Sequence, residues 1–284
     1  MIYFKLVLVA LIWAGTFIGT RIAAQVFGPF TGASFRYGFA ILFMIPIALF
    51  QDKNTFRLSK KQFLQVALLG LTGIFGYSFF FFKGMKLVPA SHGALLVSLN
   101  PVFVMILSSI RYKERVHPIR LLGAILSIIG VVIVISRGNI AGLISSFQWG
   151  DAFMLGCPVV WALYTFFASD ALKEMKPLKA ATWATITGWI MLMCFVPTEQ
   201  FPLHVSSGIW VALIYLGLFG TVIAAVWYYE GISKIGPLRT AVFNNLIPVF
   251  ALILSVLLLH EKLEPHTLYG SVFVVLGILL TNKF

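Results

Sequence analysis

The chain is short of charge and shorter still of acid: 11% of its 284 residues are charged, and only nine are Asp or Glu against 21 Lys or Arg. With 60% hydrophobic residues and a mean hydropathy of +0.97, it carries more apolar surface than a water-soluble domain of this length can hide. That leaves an integral membrane protein. Cysteine is nearly absent too. Cys157 and Cys194 fall inside apolar stretches with no Cys-x-x-Cys spacing and no histidine cluster, so neither a disulfide framework nor a metal site is expected. The sequence has no Gly-x-x-x-x-Gly-Lys-Ser/Thr loop to cradle a nucleotide, which argues against ATP-driven work. Its few carboxylates sit mostly in loops without a paired acidic motif, so no catalytic set and no cofactor is expected.

What the sequence has in quantity is long apolar runs. Ten of them, approximately 4–26, 30–50, 61–87, 90–111, 118–136, 148–170, 178–196, 207–233, 237–259 and 266–282, approach or exceed the ~17–25 residues that cross a hydrocarbon core. The first is longer than the core of a secretory leader, and Arg21 interrupts the place near Ala23-Ala24 where cleavage would occur. It reads as a span.

A formal net charge of +12 could suggest nucleic acid, but the basic residues concentrate in alternate loops. With the N-terminus placed in the cytoplasm, the inner side collects Lys5, Lys53, Arg57, Lys60, Lys61, Arg111, Lys113, Arg115, Arg120, Lys173, Lys176, Lys179, Lys234, Arg239 and Lys283, 15 in all. The outer side holds four, Lys83, Lys86, Arg137 and Lys262, while Arg21 and Arg36 lie within spans. This asymmetry predicts a multi-pass inner-membrane protein with both termini cytoplasmic, and it assigns the charge to a membrane rather than to nucleic acid.

The chain also repeats itself. Pro101-Val102-Phe103 recurs as Pro248-Val249-Phe250, and at the same offset of 147 Gly84, Ala94, Ser108, Glu114, Pro118, Gly123 and Gly130 reappear as Gly231, Ala241, Ser255, Glu261, Pro265, Gly270 and Gly277. Two halves, 1–142 and 143–284, each with five spans, are predicted. Five is odd, so the second half enters the membrane upside down. The expected fold is therefore all-α, ten transmembrane helices arranged as two inverted five-helix repeats, an arrangement that secondary transporters use around a midplane site.

These features come with recognisable motifs: Trp13-Ala14-Gly15-Thr16-Phe17, Phe35-Arg36-Tyr37, Pro101-Val102-Phe103 leading to Glu114-Arg115, and Gly123 through Gly130. In the second half they are Tyr229-Glu230-Gly231, Ile235-Gly236-Pro237, Phe243-Asn244-Asn245-Leu246-Ile247-Pro248-Val249-Phe250 and Glu261-Lys262. Over essentially its whole length the sequence resembles the drug/metabolite transporter superfamily, in particular its bacterial EamA-type members. The resemblance implies export of amino acids, other metabolites or toxic amphiphiles, with the fifth and tenth helices outside the cavity. The sequence departs from the pattern at Trp13-Ala14-Gly15, where many relatives have Trp-Gly, and at Cys157-Pro158 ahead of Trp161.

Spans 5 and 10 are nearly devoid of polar groups and carry glycines seven apart, which suits close-packed scaffold helices. The polar and aromatic groups lie elsewhere. Trp13, Thr16 and Phe17 share one face of span 1, and Trp161 with Tyr164 gives the related pattern on span 6. Such faces can line a cavity or meet lipid, and 15% aromatic content makes either common. Tyr77 and Phe81, and Trp227 and Tyr228, divide in the same way between cavity and packing. Asn244 and Asn245 need partners deep in a span, and Ser98 is the repeat equivalent of Asn245. Pro101 and Pro248 deprive the carbonyls of Val97 and Asn244 of their usual donors, which predicts helix kinks beside the cavity. Interhelical hydrogen bonding, worth ~0.6 kcal/mol, is the competing use for these groups.

Three charged or titratable residues are candidates for a gate or for coupling. Arg36 could belong to an outer gate or attract a substrate carboxylate, or it could snorkel or pair, with Asp151 on the same side. His92 begins span 4. Glu230 is the repeat equivalent of Lys83 and could carry a coupled proton, though Lys234 at i+4 offers a simple ion pair. Glu114 and Glu261 precede spans 5 and 10, where a negative charge suits a helix N-terminus.

These readings converge on a secondary transporter that exports a small organic substrate by alternating access. A passive facilitator or channel is the alternative, and a lipid-modifying membrane enzyme a distant third. The expected partners are the substrate and membrane lipid; a monomer is expected, with dimerisation through the scaffold helices open.

Overall fold

The computed structural model describes residues 1–51, 56–112, 117–139, 142–236, 239–240 and 242–281. Of the positions named above, Lys53, Lys113, Glu114, Arg115, Pro237, Ala241 and Lys283 lie outside the described residues. Among the described residues the chain is helical, with no strand. Among the described residues nine helices are long and apolar enough to cross a membrane: α1 Ile2–Ala24, α2 Pro29–Gln51, α3 Lys60–Leu87, α4 Ala90–Arg111, α5 Pro118–Ile135, α6 Trp149–Ala171, α7 Pro177–Thr198, α8 Ser207–Ile235 and α9 Val242–Leu259. A tenth apolar helix, α10, runs Pro265–Thr281. This is an all-α, multi-pass membrane protein, and large hydrophobic side chains cover its outside, as contact with lipid demands.

Helices α5 and α10 form one seam, held by small residues. A methyl group on Gly123 would lie 2.4 Å from the Thr281 amide nitrogen, and one on Gly277 would lie 2.4 Å from the Ser127 amide nitrogen. Only glycine allows the two backbones so close, and this replaces the hydrophobic drive that lipid cannot supply.

The remaining helices pack around the centre in repeat-related pairs, α1 against α8 and α6 against α3, α2 against α7, and α4 against α9. Their irregularities are also paired. A π-helical stretch, Gly70–Gly76, interrupts α3, and another, Leu218–Ile223, interrupts α8 at the position predicted by the offset of 147. Within them Gly73 sits under the Tyr164 ring of α6, where an added methyl would lie 2.2 Å from a ring carbon, and its equivalent Gly220 faces the Thr16 methyl of α1 at 2.6 Å.

Helices α4 and α9 are broken rather than kinked. Helical structure stops at Val97, turns through Ser98 and Leu99, and restarts at Asn100; in α9 a 3₁₀ turn, Val242–Asn245, precedes a regular helix from Leu246. Pro101 and Pro248 thus fall in the first turn of a restarted helix, where a missing N–H leaves no internal bond unmade.

Polar contacts join the two halves at both ends. At one end Glu230 accepts from Lys5 and Lys234, each at 2.7 Å, and Lys61 pairs with Glu174. At the opposite end the Glu199 carboxylate accepts from the Phe30 and Thr31 amides at 3.1 and 2.8 Å, and Glu261 accepts from Ala90 N and Ser91 N at 2.8 and 3.1 Å and from Ser91 Oγ at 2.7 Å. The sequence suggested that Glu261 served its own helix. It serves α4 instead, 170 residues away, where a negative charge meets unpaired amides at a helix start.

Candidate functional site

About half-way along α1, α3, α6 and α8, a cavity of about 70 Å³ lies between the halves. By the ~10–15 Å³ that one water molecule needs, it has room for several. Its walls come from α1, α2, α3, α4, α6, α8 and α9, with α5 and α10 contributing nothing.

Aromatic rings form one wall. Trp13 meets Trp161 edge-on with centroids 5.3 Å apart and Tyr228 at 4.9 Å, while Trp161 also touches Tyr77 at 5.3 Å and Tyr164 at 5.1 Å. Phe17 packs edge-on to Phe81 at 4.9 Å. The cluster is held by polar contacts at its rim. Trp13 Nε1 donates to the carbonyl of Gly220 at 3.0 Å, inside the π-helical stretch of α8, and the Tyr164 and Tyr229 hydroxyls share a hydrogen bond of 2.5 Å. Edge-to-face geometry of this kind adds ~0.5–1.5 kcal/mol per pair beyond area burial.

Polar groups complete the lining. Arg36 is 6% exposed and lines the cavity. Its Nε donates to Thr221 Oγ1 at 3.1 Å, and Thr221 in turn donates to the carbonyl of Leu216 at 3.0 Å, five residues earlier in the π-distorted helix. Its guanidinium lies over the Tyr37 ring at 5.1 Å. Asn100 and Asn244, from the breaks in α4 and α9, also line the cavity, Asn244 beside the Tyr228 hydroxyl.

The structure therefore gathers Trp13, Thr16, Phe17, Tyr77, Trp161, Tyr164, Asn244 and Arg36 around one cavity. Ser98 and Asn245 lie off it, in a pocket of about 10 Å³ between α4 and α9 that also includes Pro101 and Pro248. Ser98 donates back to the Leu95 carbonyl. His92 and Glu230 lie at opposite ends of the molecule. His92 is 2.7 Å from Asp151 in a separate recess lined also by Glu261 and His266, and Glu230 is held by its two lysines. Arg36 has neither of these as a neighbour, and Asp151 pairs with His92 rather than with an arginine.

Sequence reasoning missed Tyr37, Gly73, Asn100, Gly220 and Thr221. One signal was available for the glycines: Gly70 and Gly73 recur as Gly217 and Gly220 in register with the repeat. Asn100 and Thr221 carried none, because their relevance depends on where an irregular backbone points them.

Among the described residues, seven apolar helices closing on a central cavity of aromatic and polar groups define a multi-pass membrane protein of the transporter class. Residues 1–136 and 148–283 each match the EamA-like transporter family, and the chain belongs to it. Over 99% of this chain and 93% of its own length, the "Uncharacterized transporter YyaM" of Bacillus subtilis is 30% identical. A "Probable terminal-alkyne amino-acid exporter" of Streptantibioticus cattleyicolor is 24% identical over 98% of this chain and 92% of its own. The "Aromatic amino acid exporter YddG" of Ancylobacter novellus is 28% identical over 66% of this chain and 65% of its own.

Proposed function

We propose that this protein is a secondary-active transporter of the cytoplasmic membrane that exports small organic metabolites, amino acids or related amphiphiles, by alternating access. The observation that carries the reading is the central cavity, bounded by repeat-equivalent segments of α3 and α8 around Gly73 and Gly220. Two five-helix repeats, 1–142 and 143–284, inverted relative to each other, can exchange conformations and so expose such a cavity to one side and then the other. The excess of 15 basic residues over four supports a cytoplasmic position for both termini, and with them for the Lys5–Glu230 end. The glutamate ties of Glu199 and Glu261 then face outward, and outward release requires them to part while the lysine ties on Glu230 hold. Aromatic walls and amide groups suit a substrate with an apolar body and a polar head, and two relatives are named as exporters of amino acids.

The test is counterflow in proteoliposomes loaded with unlabelled amino acids and other metabolites, for the wild type and an Asn244→Ala variant. Exchange of one substrate class, lost at least tenfold in a variant that remains folded, is expected. Downhill flux without counterflow acceleration identifies a passive facilitator, and no flux across the panel overturns the transport reading.

A further inference from the structure

Arg36 is the sole charged residue among those lining the central cavity. It has a hydroxyl partner and an aromatic one, but no carboxylate lies in ion-pair reach among the described residues, and its Nη1 is buried without any hydrogen-bond partner. An uncompensated cation in an apolar setting is expensive, and native proteins pair such groups or spare them for use. The repeat shows that packing does not require it. The Arg36 carbonyl lies against Gly217 of α8, and at the corresponding contact the Ala184 carbonyl of α7 lies against Gly70 of α3. Alanine thus fills the same structural place in the other half. The hydroxyl that orients the guanidinium is equally one-sided, since Ile74 stands at the repeat position of Thr221.

We propose that Arg36 is the carboxylate-recognition residue of the central cavity, so that the transported substrates carry a carboxylate group whose oxygens take up the free Nη1 donor. The proposal rests on the reading of this cavity as the translocation site, and it narrows the substrate class. Thr221 holds Nε, and Nη1 is buried and unpartnered beside the cavity that Arg36 lines; a planar acid admitted as the cavity opens matches the guanidinium fork, with the rings of Trp13, Trp161 and Tyr228 left for the apolar body. Methyl esters, amides and decarboxylated amines lack the group and place nothing on the cation, so the site rejects them by leaving a buried charge unpaired.

The experiment uses the full chain in nanodiscs, wild type and Arg36→Met, with thermal unfolding and equilibrium binding as readouts. The probes are the proteinogenic L-amino acids and 3-phenylpropionate, each beside its amide and, for the amino acids, the decarboxylated amine, in chloride-free and chloride-containing buffer. The ligand-free Arg36→Met protein is expected to unfold at the same temperature as the wild type or higher, because a spare buried charge has been removed. Acids are expected to stabilise the wild type and to bind the variant about 10- to 100-fold more weakly, the scale of a hydrogen bond to a charged group. Arg36→Lys, which keeps the charge and loses the planar fork, should recover only part of the affinity. A marked loss of thermal stability in ligand-free Arg36→Met makes the residue structural and overturns the proposal. Equal binding of acids and amides, stabilisation by chloride alone, or binding confined to amines also overturns it. Counterflow of uncharged compounds by the wild type would sink the carboxylate assignment while leaving transport intact; absence of all counterflow alongside Arg36-dependent acid binding would sink transport and leave the recognition site standing.

Discussion

Two helix pairs stand in the same repeat relation yet are built in opposite ways. Where α5 meets α10 both helices are regular, and Gly123 and Gly277 bring backbone onto backbone with Thr281 and Ser127 packed directly against them. Where α4 meets α9 both helices are broken, the seam encloses a pocket of about 10 Å³, and the Asn245 side chain is buried with neither amide atom partnered. The first arrangement has one good packing and nothing to gain from another. The second leaves backbone and amide groups unspent beside the cavity, which is what a segment needs if it is to repack without losing interactions it already holds.

The comparison can be broken most severely at the regular seam. Gly123→Leu should destabilise the folded protein by on the order of 3 kcal/mol, because the new side chain meets main chain on α10 rather than a side chain that can swing away; thermal unfolding in nanodiscs measures it, and a small shift would mean the seam slides. Next comes the recess near the outer end. Asp151→Leu removes the partner of a largely buried His92 and an acceptor for the Gln148 amide, and a loss of about 1–3 kcal/mol is expected in the same assay. Asn245→Ala sharpens the contrast: stability should change by less than about 0.5 kcal/mol, since no hydrogen bond is lost, while counterflow falls at least tenfold. Loss of stability without loss of transport would make α4–α9 a second scaffold seam. The smallest effect is expected at Glu230→Gln, where partly exposed ion pairs with Lys5 and Lys234 contribute no more than ~1 kcal/mol. Transport that survives this change, with its pH profile intact, removes Glu230 from the coupling mechanism.

Much of this contrast was legible in the sequence. Glycines seven apart in spans nearly devoid of polar groups marked α5 and α10 as close-packed scaffold, though not as each other's partners, and the paired prolines marked α4 and α9 as irregular. Trp13 and Trp161 were found because they stand at matching places on repeat-related helices. The sequence could not show that the break lies upstream of each proline, because proline is tolerated at a helix start and the unwinding is decided by neighbours in space. Arg36 was visible as a charge in a span. Its lack of an acid was not, because that depends on which helices surround it: Asp151, the obvious candidate by depth, points to His92. The role of Glu261 was missed for the same reason. A carboxylate beside a helix start in sequence suggests local capping, yet the fold sets a different helix start closer.

The π-helical stretches set how closely neighbouring helices approach the centre. A π turn accommodates one residue more than the α turn it replaces, and its poorer hydrogen bonding makes it rare unless it serves a purpose. Both halves carry such a turn at the same place in the repeat, Gly70–Gly76 and Leu218–Ile223, where Leu69-Gly70-Leu71 and Gly73 recur as Leu216-Gly217-Leu218 and Gly220. Each turn puts a glycine where a neighbouring helix comes closest, Gly73 under the Tyr164 ring and Gly220 against Thr16, so the extra residue sets how tightly α6 and α1 close on the cavity.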